Sequence, residues 1–259
     1  MKCRSGLLGE CMISTIYIEK GIVEHPRSKA ILRRFPRAAI IECERYGEVF
    51  NPKAQNFRLQ KKRPALILAE KFKNHVLPAP SGYGIGGQSN FYFSHMLNCI
   101  YDCRYCFLQG MYRSAHYVCF VNFEDFQTEI LGRMKELPEK TCYFFSGYDC
   151  DSLALDSVTG FIEHFVPFFS DHPTAILELR TKSAQIDSLV RQEAISNCVV
   201  AYSLAPAEIA EAVEHKAPPV HQRIRAMSTL AQRGWPIGLR FDPLIFCENF
   251  QELYRELFK

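Results

Sequence analysis

The sequence predicts an α/β protein: a partial parallel (βα) barrel over residues 88–259, preceded by a small α/β lead-in domain over 1–87. Three observations lead there. Apolar runs of strand length recur along the later two-thirds of the chain. Amphipathic segments with helical spacing alternate with them. A Pro/Gly stretch, "LPAPSGYGIGGQ", separates this regular part from a less regular beginning.

In the lead-in region "STIYIEK" and "RAAIIECE" read as short strands, "HPRSKAILRRF" between them as a helix, and "RPALILAEKF" as a further apolar stretch. The later strands are "FYFSHML" (91–97), "TCYFFSG" (141–147), "AILELRT" (175–181), "CVVAYSL" (198–204) and "PIGLRFD" (236–242). Between or after them come "EDFQTEILGRMKEL", "SVTGFIEHFVPFF", "SAQIDSLVRQEAI", "VHQRIRAMSTLAQRG" and "ENFQELYRELFK". Phe126, Ile130, Met134 and Leu137 mark one apolar helix face, and Gly234 stands where a helix C-terminus takes glycine. Strands that are apolar throughout belong to parallel sheets covered on both faces. Five βα units are visible. A complete eight-fold barrel takes about 250 residues for itself, so the barrel is partial or the sheet open, and five parallel strands leave an edge.

With 47% apolar and 23% charged residues in a chain of 259, the composition is globular and excludes a disordered chain. A net charge of +3 falls short of the balance of a dedicated nucleic-acid module. "ILRRFPR" (31–37) and "RLQKKRP" (58–64) nevertheless gather basic residues, forming either a solvated face or a phosphate-facing surface. No apolar run approaches the roughly 18 residues that span a bilayer, so no membrane association is expected. "MKCRSGLLGECM" lacks the apolar core of a secretory signal and reads as an extension, with patterned sequence starting at Met12.

Eleven cysteines are an odd number in a chain too long and too apolar to need a disulfide framework. Cys43, Cys142, Cys198 and Cys247 lie in apolar or strand-like contexts, where a thiol acts as a small hydrophobe. A reduced, cytoplasmic setting is expected. The one tight cluster is "CIYDCRYC", with Cys99, Cys103 and Cys106. It follows the first barrel strand, at the end where such barrels gather functional groups. Structural zinc takes four ligands, and no partner pair stands out. A disulfide would strand one thiol. Three thiolates on a cluster of four irons leave one iron open to another ligand. "GYGIGG" (82–87) satisfies G-x-G-x-x-G but precedes a strand instead of following one, and reads as a turn.

Cys-x3-Cys-x2-Cys followed by an aromatic residue resembles the motif of the radical S-adenosylmethionine enzymes. "HMLNCIYDCRYCFLQG", "SGYDCDSLALDSVTG", "ILELRTKS", "AYSLAP" and "GWPIGLRFDPLI", in this order, together resemble the spore photoproduct lyase family, as does the opening "IYIEKGIVEHPRSKAILRRF". The resemblance runs from about residue 14 to the end. It implies a radical lyase that repairs a thymine-dimer lesion in DNA, with a 4Fe–4S cluster held by Cys99, Cys103 and Cys106. S-adenosylmethionine would sit on the open iron and give a 5′-deoxyadenosyl radical on reduction. Lys182 matches a contact to that ligand's carboxylate or ribose, and Ser203 a hydrogen bond to it. Ser146 and Gly147 match the backbone support of its methionyl group, with Asp151 beside them. An external electron donor such as flavodoxin or ferredoxin is implied.

Two departures bear on the chemistry. Tyr105 matches the first tyrosine of a hydrogen relay, but Phe107 stands at the second and has no O–H. Tyr148 stands where the family places its hydrogen-donating cysteine, and Cys150 is the nearest thiol. Side chains two apart on an extended segment point the same way, so Cys150 either substitutes for that donor or replaces a small residue in the ligand pocket. The resemblance also implies a sixth strand and a further segment after "ELYRELFK". The alternatives are a non-catalytic, truncated relative whose basic lead-in domain binds nucleic acid, and a radical enzyme with another substrate.

Overall fold

The computed structural model describes residues 13–50 and 55–259; the expected extension before the patterned sequence lies outside them. In chain order the strands are β1 Thr15–Glu19, β2 Ala39–Cys43, β3 Leu66–Ala69, β4 Val76–Pro78, β5 Ser89–Phe93, β6 Met96–Leu97 and β7 Asp102–Cys103. They continue as β8 Tyr117–Phe120, β9 Cys142–Ser146, β10 Ala175–Thr181, β11 Cys198–Ser203, β12 Glu214–His215 and β13 Ile237–Arg240.

One sheet has the order β13-β11-β10-β9-β5-β4. Its strands β5, β9, β10, β11 and β13 are parallel and lie side by side in the order they occur along the chain, which gives the five predicted units, while β4 lies antiparallel along β5. The sheet is open, with β4 and β13 as its edges. β9, β10 and β11 are buried along nearly their whole length, as strands covered on both faces must be. Helix Phe161–Ser170 buries Phe161, Phe165 and Phe169, four residues apart, completely. Phe165 stacks on Phe93 of β5 at 5.2 Å, and Phe91 on Phe144 of β9 at 5.5 Å across the parallel register. Fully burying each such ring contributes about 1.5–3 kcal/mol. These contacts seat the strands whose far ends carry the site.

The second sheet has the order β2-β1-β3-β8-β6. It takes β1, β2 and β3 from before residue 87 and β6 and β8 from after it. Its core of Ile16, Ile18, Leu66, Leu68 and Met96 packs partly against Cys150, Leu155 and Val158 of the other unit.

Three predicted elements differ in detail. The run 91–97 is two strands: the chain leaves the first sheet after Phe93, and Met96–Leu97 pairs antiparallel with β8 in the second. The break has a cause. Ser94 Oγ donates to Asp149, and the buried His95 ring stacks on Phe161 at 3.9 Å. "SVTGFIEHFVPFF" is split by Gly160, whose φ of +66° ends one turn of helix and starts the next helix. "SAQIDSLVRQEAI" is helical only over Asp187–Val190. Ser183 Oγ takes the Gln185 N–H at 3.0 Å and Thr181 Oγ1 the Ser183 N–H at 2.8 Å, and these turns compete with helix.

Candidate active site

Asn98 turns the chain into the cysteine loop. It sits in the left-handed region at φ +67°, and its Nδ2 donates to the carbonyls of Ser114 (2.7 Å) and His116 (2.8 Å). The loop then pairs with a distant segment. β7 lies antiparallel to β12, with Cys103 opposite Glu214 and Asp102 opposite His215, and the Arg104 N–H donates to Val213 O at 2.8 Å. On another side Lys61, from the basic run, reaches Asp102 at 3.4 Å.

Cys99, Cys103 and Cys106 line one cavity of about 280 Å³. The rest of its wall includes residues that follow the parallel strands: Gly147, Tyr148, Cys150 and Asp151 after β9, Thr181 and Lys182 at the end of β10, Ser203 at the end of β11, and Asp242–Pro243 after β13. Strand C-terminal ends and thiols therefore meet, as a parallel βα arrangement requires. A larger groove of about 890 Å³ lies beside helix Ala207–Val213, but none of the cysteines lines it.

All nine cysteines among the described residues are free. Burial pushes the Cys103 thiol up to about 11 and Cys99 well above its usual range. Three thiolates in such surroundings need a bound cation to stabilise them. Among the described residues no three His, Cys, Asp or Glu side chains converge on one ion. In an iron–sulfur cubane each thiolate binds a different iron, and three thiols on one cavity wall have the donor chemistry for such a cluster.

Of the sequence-predicted residues, Tyr105, Gly147, Cys150, Asp151, Lys182 and Ser203 line the same cavity. Ser146 does not. Its Oγ is fully buried beneath, bonded to Ser152 Oγ (2.8 Å) and Glu178 O (2.9 Å). Gly147 has φ +79°, and a β-carbon there would meet Ser152 Oγ at 2.6 Å and Arg180 O at 3.0 Å, so only glycine brings the backbone to the wall. Asp151 spends both oxygens on the protein: Oδ1 accepts from Thr181 Oγ1 and the Leu153 and Ala154 amides, Oδ2 from the Lys182 amide. Burial raises its pKa, opposed by those hydrogen bonds.

The stretch 148–150 is a bend, not an extended segment, so Tyr148 and Cys150 do not share a direction by strand alternation. Cys150 is 7% exposed and packs into the apolar core of the second sheet. Tyr148 instead lies among Tyr92 (4.4 Å), Tyr83 (5.3 Å) and Phe107 (5.7 Å). Tyr83 comes from the irregular Gly-rich stretch read as a turn. Its hydroxyl accepts from Arg180 Nη1 at 2.7 Å, and burial raises its pKa to about 12. Tyr83, Tyr148, Phe107 and Arg180 border a second cavity of about 290 Å³ that shares the last three with the first.

Sequence reasoning missed Glu214 and Arg223. Glu214 Oε1 accepts the Tyr105 O–H and lies 3.8 Å from Lys182 Nζ, and Arg223 Nη2 forms an ion pair with Oε2 at 2.6 Å. Burial first, then the Glu214 charge, hold the Tyr105 phenol well above its usual range. Neither residue has a local motif; only the fold brings them to the loop.

The family model for spore photoproduct lyase matches residues 89–259. The chain belongs to the spore photoproduct lyase family. The spore photoproduct lyase of Bacillus subtilis (strain 168) is 24% identical over 251 residues, covering 94% of this chain and 71% of that protein. The spore photoproduct lyase of Clostridium acetobutylicum is 22% identical over 260 residues, covering 96% and 74%. A solved spore photoproduct lyase mutant with bound AdoMet and dinucleoside spore photoproduct superposes with a TM-score of 0.85 at 17% identity, over 95% of this chain and 72% of that one. Another, complexed with dinucleoside spore photoproduct, gives 0.83 at 17% identity and the same coverage. At such identities the solved structures establish a shared fold.

Proposed function

We propose that this member of the spore photoproduct lyase family is a radical S-adenosylmethionine enzyme acting on a thymine-dimer lesion in DNA. The observation that carries the reading is the meeting of three loop thiols with the ends of four parallel strands, β9, β10, β11 and β13, on one cavity. Cys99, Cys103 and Cys106 would hold a 4Fe–4S cluster. With S-adenosylmethionine bound, the cluster supplies a 5′-deoxyadenosyl radical. Lys182, 15% exposed at its side chain, presents a cation to the ligand's carboxylate, and Ser203 a hydroxyl. Gly147 lets the backbone approach the methionyl group. Tyr105 holds its O–H on Glu214 at the cavity wall.

The neighbouring cavity under Tyr83 and Tyr148 has aromatic faces that suit a stacked nucleobase, and a guanidinium, Arg180, held by Asp242 at 3.1 Å and by the Tyr83 hydroxyl. Arg33, Arg34, Arg37, Arg58, Lys62 and Arg63 are exposed and add positive charge to the lead-in region. An electron must come from an external donor of the flavodoxin or ferredoxin kind. The free thiols support a reducing, cytoplasmic setting. No helix among the described residues is long and apolar enough to cross a membrane.

Anaerobic reconstitution followed by chromatography tests the reading. The wild type should release 5′-deoxyadenosine and convert lesion-bearing oligonucleotide to thymines, and Cys103→Ala should do neither. Phe107 and Tyr148, in place of a relay tyrosine and a donor thiol, favour a second reading, a radical enzyme with another substrate. Release of 5′-deoxyadenosine without repair of the lesion would select it.

A further inference from the structure

Glu214 is a carboxylate with 1% side-chain exposure. Burying it costs several kcal/mol unless cations and donors surround it. Here they do. Arg223, equally buried, sits on one side and is itself fastened by Nε to Pro218 O (2.8 Å) and Nη1 to Ser203 O (3.2 Å). Tyr105 and Lys182 sit on the other. The backbone of Glu214 pairs with Cys103, the middle thiol of the loop. One residue thus ties the cysteine loop, the end of β10 and, through Arg223, the end of β11.

We infer that Glu214 is a positioning residue that holds the cysteine loop, Tyr105 and Lys182 in the arrangement the cofactors need; the inference rests on the radical-enzyme reading of the cavity. It acts in two ways. As an anchor it keeps Cys103 facing the cavity before any iron is present. As a charge it partly neutralises Lys182 and Arg223 beside a site of three thiolates. A buried negative charge near a redox centre favours the oxidised form, because electrostatic effects are strong in a low-dielectric interior.

The first test needs no cofactor. Apo protein, wild type and Glu214→Gln, is pulsed with N-ethylmaleimide and each cysteine is followed by peptide mass mapping. Breaking the buried pair should raise labelling of Cys103 by about tenfold or more, with Cys198, fully buried in β11, still protected. Equal Cys103 labelling in the two proteins overturns the anchor. Should Glu214→Gln open Cys198 as well, Tyr105→Phe, which removes only the phenol contact, decides by the same comparison: faster Cys103 labelling supports the anchor and unchanged labelling overturns it.

The second test is the reduction potential of the reconstituted protein, followed by EPR. Glu214→Gln keeps an acceptor for Tyr105 and removes the charge, so the potential should move upward. An unchanged or lower potential overturns the electrostatic role. A wild type that takes up no iron overturns the reading of the cavity while leaving the labelling result to judge the anchor.

Discussion

The backbone N–H of Lys182 donates to Asp151 Oδ2 at 2.7 Å. The lysine expected to meet a ligand is thereby set by a carboxylate whose oxygens are both taken up by protein donors. Asp151 also takes the amides of Leu153 and Ala154 and the Thr181 hydroxyl, so Asp151→Ala strands four donors, each worth about 1–3 kcal/mol where buried. The variant should unfold at a clearly lower denaturant midpoint. Lys182→Met keeps the backbone bond to Asp151 and leaves Glu214 its Arg223 partner, so it should lower the midpoint less than Asp151→Ala and lose S-adenosylmethionine affinity. Denaturation and equilibrium dialysis on the two variants check the split.

Gly147 faces a different constraint. Its φ of +79° and its close approach to Ser152 and Arg180 leave no room for a methyl group. Gly147→Ala should cost about 1–3 kcal/mol in backbone strain and displace the 147–151 wall. Thermal denaturation should show the loss, and ligand binding should fall further than the stability change alone accounts for.

His95 gives a pH dependence. Its ring is 1% exposed on Phe161, and burial lowers its pKa from 6.5 to about 3. Between these values the unfolded chain binds a proton that the folded chain refuses, so stability rises with pH across this window. His95 contributes fully above pH 6.5, and the contribution is lost as pH falls toward 3, with a slope of at most about 1.4 kcal/mol per unit. His95→Gln should flatten the difference between unfolding free energies at pH 7 and pH 5. An unchanged slope would show that His95 does not carry this pH dependence.

Much of this fold was legible in the sequence because burial on both faces writes continuous apolar runs, as in "CYFFS", "AILELRT" and "CVVAYS". The cysteine spacing is local and could be read directly. Met96–Leu97 was not separable from β5, since an apolar run does not record which sheet it joins. β7 and β12 are two residues each and pair across more than a hundred positions, too short for any period to show. Glu214 and Arg223 lie in ordinary-looking charged segments, and only the fold turns them into a buried pair. Tyr148 and Cys150 looked alike from sequence because a bend and an extended segment are written with the same residues. Gly147, which makes the bend, was the one local hint.

Cys99, Cys103 and Cys106 would hold a cluster with one iron free for S-adenosylmethionine. EPR of the anaerobically reconstituted, reduced protein tests it most directly, recorded with and without that ligand. The wild type should give a 4Fe–4S signal whose g values shift when S-adenosylmethionine is added, and Cys103→Ala should give no such signal. Identical spectra with and without the ligand, or a Cys103→Ala protein indistinguishable from wild type, would contradict it.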